Sequence, residues 1–244
     1  MAVMKKTIDY QIQARDVDFY DIIKPLAVLD LFQDIASTHA TELGVGYNYL
    51  KEKGFAWVVL YQEFEILKVP SFAQNVQISS WPKPKGRLEF EREYAITSTD
   101  GELLVKGISN WLAIDLISHK FIKSSEVAFP GDYVDYTNYP NKCKRKLELS
   151  KESILDSFTY QVQYDDLDHN GHMNNAKYIT IIFNHYPLYK TNLYFYKVQL
   201  AYIKEAKYHD IVKIGHYIHE GLDAYIGFIG EEVCFECVIG VKKK

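Results

Sequence analysis

The run Tyr10-Gln11-Ile12-Gln13-Ala14-Arg15-Asp16-Val17-Asp18 returns without a gap, 150 residues later, as Tyr160-Gln161-Val162-Gln163-Tyr164-Asp165-Asp166-Leu167-Asp168. A chain that repeats itself at this distance reads as one structural unit written twice. The continuations differ in chemistry. After Asp18 come Phe19-Tyr20-Asp21-Ile22, whereas after Asp168 come His169-Asn170-Gly171-His172. One copy carries a polar constellation where the other does not, so the second half is where a reaction is expected.

The secondary-structure signals follow the same order in both halves. In the first, polar and apolar residues alternate over 7–14 as in a strand. Pro25 suits a first helical turn, Leu29, Phe32, Ile35, Ala36 and Leu43 recur at helical spacing, and Gly44 is a stop signal. Strand-like stretches follow at 55–69, 75–81, 88–98 and 102–114, with Thr99-Asp100-Gly101 marking a hairpin. The second half gives a strand at 158–164, a helix at 174–186 and strands at 194–204, 211–219, 224–228 and 233–241, with Gly230-Glu231 in the last turn. Val76-Gln77-Ile78 matches Val212-Lys213-Ile214 at an offset of 136, so the first copy holds about fourteen extra residues, placed at 45–54. The predicted class is α+β, with a long helix against an antiparallel sheet in each unit. The predicted domains are 1–125 and 157–244, joined by a polar linker over 126–156 that holds Pro130, Pro140 and the basic run Lys142-Cys143-Lys144-Arg145-Lys146.

A formal net charge of −4 argues against a general nucleic-acid binder, which needs a positive surface. Twenty Tyr and thirteen Phe suit half-buried sheet surfaces. The first residues lack the apolar run of a signal peptide and no stretch reaches about 18 uninterrupted apolar residues, so a soluble cytoplasmic protein without membrane insertion is expected. Three cysteines do not make a disulfide framework. Strand alternation would point Cys234 and Cys237 to opposite faces, which disfavours a zinc site there. Gly44 and Gly46 form no nucleotide loop, and no cofactor or metal is expected.

Asp168-His169-Asn170-Gly171-His172-Met173-Asn174-Asn175 packs two imidazoles, a carboxylate and three amides between a strand and a helix. Such a loop brings its side chains and the free N–H groups of a helix start to one place, which suits a substrate oxygen that becomes negative. His can move a proton near neutral pH, Asp can position it, and Asn can donate to a carbonyl. The plain alternative is a helix-capping loop in which Asn170, Asn174 or Asn175 caps and Gly171 turns. The first copy makes its turn with Phe, Tyr and Ile, which weakens that alternative.

The run Asp166-Leu167-Asp168-His169-Asn170-Gly171-His172-Met173-Asn174-Asn175-Ala176-Lys177-Tyr178-Ile179 resembles the motif of acyl-acyl carrier protein thioesterases. Leu200-Ala201-Tyr202-Ile203-Lys204-Glu205-Ala206 resembles that family's second motif, which leads to a catalytic glutamate. The resemblance implies two tandem hotdog units and hydrolysis of the thioester joining a fatty acyl group to the phosphopantetheine arm of acyl carrier protein. It implies a catalytic set of Asp168, Asn170, His172 and Glu205. Plastid members carry cysteine after the glutamate; here the residue is Ala206, which favours attack by water over a thiol nucleophile.

In the mechanism expected from these groups, Asn170 and N–H groups at the helix start hold the thioester carbonyl. His172 and Glu205 orient and deprotonate a water, and Asp168 fixes His172 or the loop. Asn174 and Asn175 are further substrate-binding candidates. The apolar slot for the acyl tail is expected in the first unit, with Phe32 and Trp57 among its lining. Acyl carrier protein is acidic, so a basic patch is expected to meet it, at Lys83, Lys85 and Arg87 or at Lys142, Lys144, Arg145 and Lys146. Hydrolysis of acyl-coenzyme A and non-catalytic acyl-thioester binding are the alternatives, and a homodimer is compatible with the sequence.

Overall fold

A computed structural model describes residues 4–129, 133–141, 143–149 and 154–244. The chain divides into two compact units, Met1–Cys143 and Lys144–Lys244. In the N-terminal unit the elements are β1 (Lys6–Gln11), α1 (Pro25–Glu42), α2 (Tyr47–Glu52), β2 (Phe55–Ile66), β3 (Asn75–Pro82), β4 (Glu89–Ser98) and β5 (Leu103–Asp115). The C-terminal unit holds β6 (Asp156–Gln161), α3 (Asn175–His185), β7 (Leu193–Tyr202), β8 (Ile211–His219), β9 (Leu222–Ile229) and β10 (Glu232–Lys243). Within the first unit the antiparallel order is β1-β3-β4-β5-β2, and within the second it is β6-β8-β9-β10-β7. First, third, fourth, fifth, second is thus the order in both, as a duplicated unit demands. Among the described residues no helix is long and apolar enough to cross a membrane.

Each helix lays an apolar stripe on its own sheet, since one sheet face must be removed from water. In α1, Val28, Leu29, Phe32, Ile35 and Ala36 are buried; Phe32 stacks on Tyr94 of β4 at 4.5 Å. In α3, Tyr178 meets Tyr202 of β7 and Phe235 of β10 edge-on at 5.5 and 5.2 Å. Pro25 opens α1, where its missing N–H costs nothing. Gly44 closes it with φ 75°: its N–H donates to the Thr41 carbonyl at 3.0 Å and that of Val45 to Ala40 at 2.9 Å, a Schellman end. Pro187 follows the last turn of α3, where Tyr186 N–H still reaches Ile182 O at 2.9 Å.

Three differences from the expected elements have physical causes. The strands expected over 7–14 and 158–164 stop at Gln11 and Gln161, because Ala14–Asp16 and Tyr164–Asp166 wind into single 3₁₀ turns. Ile12 and Val162 are buried all the same, so the alternation that suggested strand reports burial beyond the ladder. The extra segment at 45–54 is not a plain loop: it holds α2, with Leu50 buried and Gly54 at φ 73° ending it.

The described residues of the expected linker are fastened down rather than free. Thr137 donates to the Glu93 carboxylate, as does Asn138 N–H at 2.7 Å, and Cys143 N–H reaches Glu91 at 3.0 Å. Lys83 Nζ donates to Tyr139 O at 2.7 Å and to Asn141 O at 3.3 Å. Residues 133–141 and Cys143 therefore go with the N-terminal unit. On the other side, Leu147 N–H donates to Glu236 of β10 at 2.8 Å, with Leu147 and Leu149 buried. The division falls at Cys143/Lys144, inside the stretch expected to be a spacer. Pro130 and Lys142 lie outside the described residues.

Candidate active site

The loop leading into each helix is the same object twice. Asp18 N–H donates to Ile22 O at 2.8 Å and Asp168 N–H to His172 O at 2.8 Å. The Asp18 carboxylate accepts from Tyr20 and Ile22 N–H at 2.8 and 3.1 Å, and the Asp168 carboxylate from Asn170 and His172 N–H at 2.8 and 3.3 Å. Behind them, Asp16 and Asp166 each take a tyrosine hydroxyl, from Tyr10 at 2.7 Å and Tyr160 at 2.6 Å. Burial, with the Asp166 carboxylate second, holds the Tyr160 phenol well above its ordinary range, so it stays a donor. The left-handed corner is Asp21 (φ 60°) in one copy and Gly171 (φ 79°) in the other, where glycine removes the steric cost. Since Phe, Tyr and Ile make this turn equally well, the turn does not require His169, Asn170 or His172.

The same comparison shows what the Asp168 carboxylate binds. Its carboxylate binds backbone N–H groups of the loop and, at 3.4 Å, the Asn170 side-chain amide. It meets His172 through the main chain, as Asp18 meets Ile22. Of the two roles expected for it, fixing the ring or fixing the loop, the geometry presents the second.

His172 Nε2 lies 3.3 Å from Glu205 Oε2, with side chains 30% and 54% exposed. Glu205 belongs to the stretch between β7 and β8, and the loop is laced to it: Met173 N–H donates to Ala206 O at 2.8 Å and His172 pairs with Lys207 in an isolated antiparallel bridge. Two residues 33 positions apart are thus brought together by main-chain pairing on both sides of the contact. A carboxylate beside an imidazole at a partly open surface can align the ring and support its protonated form, which are the requirements of a general base.

Asn174 is the N-cap of α3, its side-chain oxygen accepting from Ala176 N–H at 2.9 Å. Lys177 N–H is taken by Asn174 O at 2.9 Å, so two of the helix-start donors expected for a substrate oxygen are engaged within the protein. The corresponding residue in the first copy, Lys24, makes no side-chain cap, and Pro25 follows it. Asn175 offers its carbonyl to the Tyr202 hydroxyl at 3.0 Å. In the N-terminal unit, Phe32 is packed between Tyr94 and the backbone of Gly107, whose absent side chain makes the room. Trp57 is only half-buried; its Nε1 donates to Val45 O at 3.0 Å and its ring meets Phe90 edge-on.

Two of the three cysteines are poorly suited to act as a nucleophile. Cys234 and Cys237 are buried and free, burial raises the Cys234 thiol to about 11, and Cys237 is raised as well. The register of β10 against β9 slips between Val233 and Phe235, so Cys234 and Phe235 both reach Tyr178 and the expected strict alternation fails there. Among the described residues no group of three or more His, Cys, Asp or Glu could hold a metal ion.

Sequence reasoning passed over Tyr178 and Cys234 as parts of the site. Tyr178 accepts from Ala206 N–H at 3.2 Å, and Cys234 Sγ donates to Lys204 O at 3.0 Å, one on each side of Glu205. The signal for Tyr178 was available, because the residue 150 positions earlier is Val28.

Comparison with known proteins bears on the same two segments. The family model described as "Acyl-ACP thioesterase N-terminal domain" matches residues 4–126, and "Acyl-ACP thioesterase C-terminal domain" matches 149–228. A chloroplastic acyl-[acyl-carrier-protein] hydrolase of Cuphea viscosissima is 26% identical over 172 residues, which cover 66% of this chain and 42% of that protein. The chloroplastic oleoyl-acyl carrier protein thioesterase of Coriandrum sativum is 23% identical over 206 residues, 76% of this chain and 55% of the relative. This chain therefore spans about half the length of the curated relatives it matches. The 12:0-ACP thioesterase of Umbellularia californica superposes with a TM-score of 0.85 at 17% identity, covering 100% of this chain and 99% of that one. An acyl-ACP thioesterase of Bacteroides thetaiotaomicron gives 0.83 at 20% identity and 98% of each chain, so the fold is shared far beyond sequence identity. The first family model spans β1 to β5 and the second takes in both the loop that carries His172 and the β7–β8 connection that carries Glu205; on that evidence the chain belongs to the acyl-ACP thioesterase family.

Proposed function

We propose that this protein hydrolyses the thioester of fatty acyl-acyl carrier protein and releases a free fatty acid. The observation that carries the reading is the 3.3 Å contact of Glu205 Oε2 with His172 Nε2, a ring carried on a loop whose turn does not require a histidine. In this reading Glu205 orients the ring, and His172 takes a proton from water as its oxygen attacks the thioester carbon. The C–S bond then breaks and the phosphopantetheine sulfur leaves as a thiol, with the proton that His172 returns. The Asn170 amide is the donor assigned to the carbonyl oxygen, and Asp168 keeps Asn170 and His172 in register through their N–H groups.

Each unit is read as a hotdog, the two in tandem, on the strength of one helix laid on a five-stranded antiparallel sheet in a repeated order. The acyl chain is assigned to the N-terminal unit. Because Phe32 is already packed on two sides, half-buried Trp57 carries that assignment. For the acidic carrier protein, Lys83 and Lys85 are poor contacts, being tied to backbone carbonyls and, for Lys83, to Glu91 at 3.3 Å. The exposed run Lys144, Arg145 and Lys146 is the docking surface proposed instead.

The test is release of fatty acid from a panel of acyl carrier protein thioesters of graded chain length, beside the matching coenzyme A thioesters, at low and high salt. The reading expects turnover with a salt-sensitive preference for the carrier protein, and loss of turnover in His172→Ala. Equal rates on coenzyme A thioesters at all salt concentrations would support acyl-coenzyme A hydrolysis, and binding without turnover would leave a sensor.

A further inference from the structure

We infer that Tyr178 and Cys234 form a positioning pair that holds Glu205 against His172. The inference rests on the reading that His172 and Glu205 do the chemistry, and it concerns what keeps them together. An ion pair with side chains 30% and 54% exposed does not hold itself: such surface contacts are weak, and a glutamate loses rotamer freedom on being fixed. The 3.3 Å contact must therefore be set by the backbone of residue 205.

That backbone is gripped on both flanks. Before Glu205, the Lys204 carbonyl accepts from Cys234 Sγ at 3.0 Å, and the Cys234 carbonyl takes Ile203 and Lys204 N–H at 2.9 and 3.0 Å. After it, Ala206 N–H donates to the Tyr178 hydroxyl at 3.2 Å while Ala206 O accepts from Met173 N–H at 2.8 Å. Tyr178 sits one turn into α3, the helix that the His172 loop leads into, so one rigid element references both partners. Its ring is fixed by Tyr202 and Phe235, and Cys234 Sγ approaches its hydroxyl at 3.9 Å.

The internal twin supplies the control. At the corresponding position of α1 stands Val28, fully buried, so packing such a helix on such a sheet needs no hydroxyl there. A buried hydroxyl costs free energy unless it is bonded. The copy with the polar loop has one, and that hydroxyl is spent on the peptide next to Glu205. Cys234 serves as a donor and not as a nucleophile, since burial keeps it a thiol.

The experiment uses the full chain and the acyl carrier protein thioester that wild type turns over fastest, with Tyr178→Phe, Cys234→Ala and Cys234→Ser. Tyr178→Phe is expected to lower kcat ten- to a hundredfold with KM within about twofold, the mark of a misplaced catalytic group. Cys234→Ala is expected to lower kcat about tenfold, and Cys234→Ser, which keeps a donor, to recover most of it. Amide hydrogen exchange at Ala206 gives a readout independent of turnover: at least tenfold faster in Tyr178→Phe, with the core of α3 unchanged. An active wild type with full kcat in both Tyr178→Phe and Cys234→Ala overturns the inference, as does unchanged exchange at Ala206. A fall in kcat matched by general loss of protection makes the pair merely structural and overturns it too. A wild type inactive on every thioester defeats the functional reading itself.

Discussion

Removing His172 and Glu205 singly and together gives a sharp test of whether they act as a unit. With side chains 30% and 54% exposed, the pair lies in the range of surface ion pairs, about 0 to 1 kcal/mol of stability. For a chain of 244 residues that is a melting shift of about 2 to 4 °C at most. Catalysis has a different scale. If His172 is the base and Glu205 orients it, His172→Ala and Glu205→Gln each cost on the order of 100-fold in kcat, or about 2.7 kcal/mol of barrier. Once the base is gone its orienter has nothing left to do. The double variant is therefore expected to stay near 100-fold, rather than fall the 10,000-fold of independent contributions. The assay is initial-rate release of fatty acid from acyl-acyl carrier protein at saturating substrate, with melting curves on the same samples. Additive losses would show that the residues work separately, and full activity in either single variant would remove that residue from the mechanism.

Further outcomes follow from the repeat and the core. Asp18→Ala and Asp168→Ala each remove an acceptor for two turn N–H groups, so urea unfolding should show similar losses of about 1 to 2 kcal/mol, while only Asp168→Ala lowers turnover. Gly107→Ala would put a Cβ 2.3 Å from the Phe32 ring; a loss of about 1 to 3 kcal/mol by denaturant titration is expected, shrinking when Phe32→Leu is added. The Cys234 thiol is raised by burial to about 11 from an ordinary 9.0, so the folded state keeps its proton where the unfolded chain has lost it. Its stabilisation is complete below pH 9 and is lost as pH climbs to 11, about 3 kcal/mol in all. Over that window Cys234→Ala should lose correspondingly less stability than wild type, and identical slopes would refute the assignment.

The duplication was legible because the Tyr-Gln pattern and the two aspartates serve the same turn twice, and the turn dictates them. Asp16 and Asp166 each collect a tyrosine hydroxyl and an N–H, which no apolar residue could do. Most strands could be read from alternation to within a few residues, but 12–14 and 162–164 could not, because burial under a loop gives the same alternation as a ladder. α2 was missed because its six residues bury one leucine, too little for a helical period. Lys83 and Lys85 read as a patch for an acidic partner because their own partners are carbonyls of residues 124 and 139, contacts without a local sequence signal. The nearness of Glu205 to His172 came only from resemblance, since nothing in composition or spacing links two residues joined through strand pairing. Tyr178 was hidden by its own motif: an aromatic on a helix reads as core, and only the hydroxyl that α1 lacks marks it as more.

The central claim is that the C-terminal loop splits the thioester and its N-terminal twin does not. Substituting both members of each equivalent pair tests it most directly: Asn170→Ala and His172→Ala against Tyr20→Ala and Ile22→Ala, followed by single-turnover release of fatty acid from acyl-acyl carrier protein. The account predicts a loss of about 100-fold or more for His172→Ala, a clear loss for Asn170→Ala, and rates within a few-fold of wild type for the twin variants. Equal losses at both loops, or none at the second, would contradict it.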